Sequence, residues 1–330
     1  MSTRWRVWLG RIAKAVIVIA ITWGLFRATG LDLAQLDVAE IARLNPSAGL
    51  IALSMAGLIA MCLGHAFLWR RIVSDISGTR LTFASTIRVY FLANLGRYIP
   101  GKFWQVAGMA VLARNAGVHP VAAVGAAVLG QIAFLASGVA LAAGLLPGAL
   151  DLGPILWVGT TAVIIAATVY AIRHTGLFRR LGRRMDPRIT QSMRDAALMA
   201  REIRPSRVTT WFVAYTLSWL VLAAAFTAFA AAFVPMGGAA AFPRLAGIIA
   251  ASYLAGYVAI IAPAGVGVRE GVMGLLLAQI MPAPAAVIVA VASRAWFTVA
   301  ELAPVAVIPL LRQGSSTAGP EQGSERLVAL

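Results

Sequence analysis

The sequence predicts an all-α integral membrane protein. It reads as about six full transmembrane helices plus two Pro/Gly-broken helical hairpins, about eight hydrophobic segments in all. Three observations predict this. Hydrophobic residues make up 60% of the chain and charged ones only 12%, about half the ~25% usual in soluble domains. Several apolar runs reach the ~20 residues that a helix needs to cross a ~30 Å hydrocarbon core. The remaining charges gather between the runs, where a polytopic protein keeps its loops.

The first run, 12–28, follows Arg4, Arg6, Arg11 and Lys14. No small-x-small cleavage site comes after it, so an uncleaved signal-anchor is expected. Further full-length runs cover 47–69, 120–145, 154–172, 208–234 and 285–311. Residues 1–311 therefore form one polytopic membrane domain, and 312–330 a polar tail expected to be disordered. Cys62, the single cysteine, excludes an intrachain disulfide and a cysteine-based metal cluster. His65, His119 and His174 show no ligand spacing, and neither a metal nor another cofactor is expected.

The net charge of +16 is distributed as topology rather than as a nucleic-acid surface. Ten arginines fall in 173–207, and Arg70, Arg71, Arg80 and Arg88 fall in 70–88. Cations beside spans mark the cytoplasmic side. The N-terminus and both basic loops are thus expected inside a cytoplasmic membrane, in contact with anionic lipid. The 29–45 loop (Asp32, Asp37 and Glu40 against Arg43) and 147–154 are expected outside. Within the long basic loop, Ile189, Met193, Ala197, Ala200 and Ile203 recur near helical spacing. That pattern fits either an amphipathic helix on the inner leaflet or a solvated connector.

Two segments do not fit the count of full spans. Residues 83–118 hold two apolar arms around "YIPGK", and 243–281 hold two around "APAGVGVRE". Loop charge requires the first to begin and end inside. With an inside C-terminus, the second begins and ends outside. Each is either a re-entrant hairpin or a pair of strongly tilted crossings. Pro100 and Pro263 lie about half the chain apart, and an inverted repeat is expected. Paired Gly/Pro-interrupted segments of this kind point to a transporter's central site.

The candidate residues sit at these breaks. In "NLGRYIPGKFW", Pro100 lacks a backbone donor and Gly101 relaxes the turn, with Asn94, Arg97, Tyr98 and Lys102 around them. A helix restarting there would offer free N–H groups and a positive dipole end to an anion, such as a lipid phosphate. The alternative is snorkelling of Arg97 and Lys102 to the interface. In the second segment, Gly265 and Gly267 form the turn, and Arg269 and Glu270 open the next arm. Arg294 and Glu301 are spaced to share one face of the last span. Charges at membrane depth seek partners or a wet cavity. The expected pairs are Glu270 with Arg294, or Arg269 with Glu301.

"NLGRYIPGKFWQVAGMAVLARNAGV" and "APAGVGVREGVMGLLLA" resemble the transmembrane domain of lysylphosphatidylglycerol synthases and its stand-alone, flippase-like relatives. Asn94, Gly96, Tyr98, Pro100, Gly101 and Lys102 match the first motif, and Pro263, Gly265, Gly267 and Glu270 the second. The resemblance covers roughly residues 10–311 and implies a domain that moves a lipid between leaflets. The soluble domain that makes the aminoacylated lipid in the two-domain synthases has no counterpart here, so synthesis is not expected.

The expected function is translocation of a phospholipid or polyprenyl-linked glycolipid, with an anionic lipid or lipid-linked substrate as the partner. No Walker A motif is present to couple it directly to ATP. One alternative is a membrane glycosyltransferase or other lipid-modifying enzyme using Asp32, Asp37 and Glu40. The other is a non-transporting partner that scaffolds a glycosyltransferase or a lipid-synthesis enzyme.

Overall fold

The computed structural model describes residues 45–98, 103–145, 204–259 and 265–313. The expected spans 12–28 and 154–172, the amphipathic stretch at 189–203, and Pro100, Gly101, Lys102 and Pro263 lie outside the described residues, as do both expected outer loops apart from Asn45.

Among the described residues, four helices are long and apolar enough to cross a membrane. These are α1 (Ala48–Ser77), α4 (Pro120–Leu145), α5 (Pro205–Phe233) and α8 (Ala283–Gln313). Between them lie two shorter pairs, α2 (Phe83–Asn94) with α3 (Phe103–Asn115), and α6 (Phe242–Val258) with α7 (Val268–Leu277). Sequence hydropathy placed the end of the first of these spans at 69, yet helix α1 continues to Ser77 and stops at Gly78 in the left-handed conformation, φ 69°. Arg70 and Arg71 end the apolar window without ending the helix, because arginine is a good helix former. Likewise Arg88, expected in a loop, belongs to α2.

The packing of the long helices follows from small residues facing large ones, the usual means of close approach in lipid. A side chain at Gly138 would lie 2.5 Å from the Trp219 ring, and one at Gly130 would overlap the Tyr215 hydroxyl. Trp219 stacks on Phe134 at 4.4 Å and donates its indole N–H to the Phe134 carbonyl at 2.8 Å. Trp69 donates to the Ala123 carbonyl at 3.0 Å, tying α1 to the start of α4. Both indoles are fully buried and have found partners, as buried indoles usually do.

The halves α1–α4 and α5–α8 share one plan: long helix, broken pair, long helix. Their contacts exchange as well. α2 packs on α8 as α6 packs on α4, and α3 packs on α4 as α7 packs on α8. The equivalent helices α1 and α5 form the most extensive pair and run antiparallel. Ser47, before α1, donates its backbone N–H to Ala232 near the end of α5, whereas Asp75 near the end of α1 accepts from Arg207 and Trp211 at the start of α5. Two similar halves with antiparallel equivalent helices are an inverted repeat. The connectors at 78–82 and 116–119 therefore lie at one face, and those at 234–241 and 278–282 at the other.

Arm length decides between re-entry and crossing. At 1.5 Å per residue, the ten residues of α7 rise about 15 Å, half of a ~30 Å core. The thirteen of α3 rise about 20 Å. Each broken pair is thus a hairpin that enters and leaves by its own face. The two arms of each hairpin touch at a glycine. A side chain at Gly96 would lie 2.5 Å from the Gln105 backbone, and one at Gly256 would lie 2.8 Å from Arg269 Cβ.

Candidate functional site

The hairpin tips meet at the mid-depth of the long helices. The first arm tightens at its end into a 3-10 turn, Leu95–Tyr98. There Arg97 Nε donates to the Asn94 carbonyl at 3.2 Å. Asn94 Oδ1 in turn accepts from Gln105 Nε2 at 2.6 Å, which clasps the two arms. The helix therefore begins to change before the Pro100–Gly101 break, and the next arm is helical from Phe103.

Beyond the tip stands α8. Arg97 Nη1 donates to Glu301 Oε1 at 2.7 Å, and the Tyr98 hydroxyl donates to Glu301 Oε2 at 2.5 Å. This corrects one expected pairing: Glu301 belongs to Arg97 of the first hairpin, and no ion pair joins it to Arg269 among the described residues. The α2–α8 contact brings these two together, and the sequence gives no spacing from which to infer it.

The second hairpin turns at Gly265 and Gly267, with φ of 69° and 85°, a region that glycine enters at little steric cost. Gly265 also needs its bare Cα, because a side chain there would lie 2.6 Å from the Gly256 carbonyl oxygen. Helix α7 then starts with Glu270 reaching back over its first turn, where Oε2 accepts from the Gly267 N–H at 2.7 Å. The other oxygen of Glu270 faces Arg294 Nη1 at 3.5 Å, the expected pair, at ion-pair distance without hydrogen-bond geometry.

Arg269 is different. It is 7% exposed, and its guanidinium lies over the Phe297 ring with the central carbon 3.7 Å from the ring centroid. Its Nε and Nη2 are buried and have no hydrogen-bond partner among the described residues. Gln131 Nε2 is in the same condition.

A cavity of about 270 Å³ joins these groups. Arg97, Gln131, Tyr253, Arg269, Arg294 and Glu301 are among the residues that line it. A smaller one of about 100 Å³ shares the Arg97–Glu301 wall and reaches His65 of α1. There His65 Nε2 and Ser218 Oγ are 2.8 Å apart. Counted from the first residue of each helix, Gln131 in α4 matches Arg294 in α8, and Phe134 matches Phe297. The cavity is therefore built from equivalent places in both halves, with Arg97 charged on the first and Arg269, Arg294 and Glu301 on the second.

Of the sequence candidates, the structure gathers Arg97, Tyr98, Gly265, Arg269, Arg294 and Glu301 around this cavity, with Asn94 and Glu270 bracing it from behind. Gln105, Gln131 and Tyr253 were missed. Gln131 carried a readable signal, as the one amide in the apolar stretch 120–145. Also missed was Asp75 at the membrane face, buried and held by Arg71, Arg207 and Trp211.

The family described as lysylphosphatidylglycerol synthase TM region matches residues 11–301. The chain belongs to this family. It is a multi-pass membrane protein of lipid-related function, and the family match runs through both hairpins and ends at Glu301, the partner of Arg97. A search of curated proteins finds no match.

Proposed function

We propose that this member of the lysylphosphatidylglycerol synthase TM region family is a lipid translocator of the cytoplasmic membrane. It would move a phospholipid or polyprenyl-linked lipid between leaflets. One observation carries the reading: two half-crossing hairpins enter from opposite faces, and their polar tips meet in a cavity at mid-depth. A headgroup crossing a bilayer needs polar partners where hydrocarbon offers none. An inverted repeat built around a fixed central site lets one half rock against the other and expose that site alternately.

Orientation follows the cations. Arg70, Arg71, Arg80, Arg88, Arg114, Arg204 and Arg207 lie toward the face of the 78–82 and 116–119 connectors, whereas Arg244 lies toward the other. By the positive-inside bias the first face is cytoplasmic.

The test is reconstitution. Purified protein in vesicles carrying fluorescent phosphatidylglycerol should make inner-leaflet label accessible to an impermeant quencher. Empty vesicles, and vesicles with the Arg97→Gln/Glu301→Gln double variant, should not. Equal quenching kinetics in protein-bearing and empty vesicles, across anionic and polyprenyl-linked probes, would refute translocation.

A further inference from the structure

The site's charges do not cancel, and the remainder has a definite shape. Among the described residues there are three carboxylates, Asp75, Glu270 and Glu301. Each is matched by arginine: Asp75 by Arg207, Glu270 by Arg294 and Glu301 by Arg97. Around the cavity this leaves Arg269 as an additional positive charge. The two nitrogens of Arg269 without a hydrogen bond, Nε and Nη2, share one edge of the guanidinium. That edge is the side-on fork that grips two oxygens of a phosphate or carboxylate. Phe297 covers one face of the group and holds its plane, so the fork is pre-oriented.

We infer that Arg269 is the anion receptor of this protein, and that the central cavity selects a headgroup with net negative charge, a phosphodiester without a compensating amine. The inference deepens the translocator reading and rests on it for the source of the ligand. Arg97, which sequence pattern offers with Lys102 for binding a phosphate, is already engaged by Glu301 and Tyr98 and acts as a positioning residue. A cationic aminoacyl headgroup would meet the extra positive charge of Arg269 and carboxylates that already face arginines. Gln131 Nε2, also buried without a partner on the cavity wall, supplies a further donor. Since the Arg269 edge is shut from water, seating the anion requires the wall to shift, which couples binding to movement of the hairpin tip.

Binding is measured apart from transport, on full-length protein in detergent. The probes are short-chain phosphatidylglycerol, its lysyl ester, phosphatidylcholine and free glycerophosphate. Phosphatidylglycerol should bind at least about tenfold more tightly than the lysyl ester, with phosphatidylcholine between them. Arg269→Gln should lose about tenfold or more of that affinity, and Arg269→Lys should lose less. Saturable binding of glycerophosphate that Arg269→Gln abolishes would support the receptor and assign it a soluble source.

Stability supplies a second readout. Without ligand, Arg269→Gln should melt no lower than wild type, because it removes a buried cation with two unmet donors. A purely structural arginine predicts a lower melting temperature. Unchanged phosphatidylglycerol affinity in Arg269→Gln, or lysyl ester binding as tight as that of phosphatidylglycerol, would overturn the inference. If wild-type protein binds as described yet moves no lipid in vesicles, the receptor stands and the translocator reading falls.

Discussion

Glu301→Gln is the most informative single perturbation of the hairpin–helix junction. It keeps the side chain's size and one acceptor oxygen but strands the Arg97 guanidinium at mid-depth. At 2.7 Å and an effective dielectric near 20, the Coulomb attraction lost is about 6 kcal/mol. Desolvation already opposes much of that, and breaking a buried pair in a soluble interior costs about 3–5 kcal/mol. The side chains of Arg97 and Glu301 are 30% and 20% exposed, so cavity water screens part of the effect. Glutamine also still accepts from Tyr98 or Arg97. About 2–3 kcal/mol of destabilisation remains. Unfolding in detergent would measure it, with Arg97→Gln and the double variant completing a cycle. The expected coupling is at least about 1.5 kcal/mol, since the double variant leaves no orphan charge. Additive losses would show that the 2.7 Å contact carries no energy, and the account of how α8 holds the first hairpin would be wrong.

Further outcomes follow from the same geometry. The Glu270–Arg294 pair, longer at 3.5 Å and without hydrogen-bond geometry, should give a smaller coupling of about 1 kcal/mol in the same kind of cycle. Gly96→Ala, whose Cβ would meet backbone at 2.5 Å, and Gly265→Ala, strained at φ 69°, should each lose at least about 2 kcal/mol or fail to accumulate. Gly64→Ala and Gly125→Ala, with nothing within 4 Å, should be neutral or slightly stabilising under the same melting assay. Asp75→Asn removes the charge that binds Arg207 and Trp211 across the α1–α5 junction, and a loss of about 1–3 kcal/mol is expected. A cysteine at Thr79 should be shielded from an impermeant thiol reagent in intact cells and one at Gly237 labelled; the reverse would invert the proposed orientation.

Composition and hydropathy alone determined that this chain is a helical membrane protein, because the water-to-hydrocarbon preference of each residue is a local property that sums along a run. The spans at 120–145, 208–234 and 285–311 stand close to where those sums put them. Gly265 and Gly267 were legible for the same reason, since positive φ is a local demand that few residues meet. Glu270 with Arg294 was within reach, as both lie on consecutive helices of one half. The partner of Glu301 was not, because Arg97 sits 204 residues away on the other half. Only the packing of α2 on α8 chooses it over the nearer Arg269. The same holds for which arginine is left over. Sequence pattern offers three cations at two breaks, Arg97, Lys102 and Arg269, with Arg294 in the last span, and gives each the same formal charge. Tertiary structure assigns carboxylates to Arg97 and Arg294, lays Arg269 against Phe297 and leaves one edge of it without a partner among the described residues. Electrostatic pairing depends on distances between chain-distant atoms, and those distances exist only after the two halves have packed.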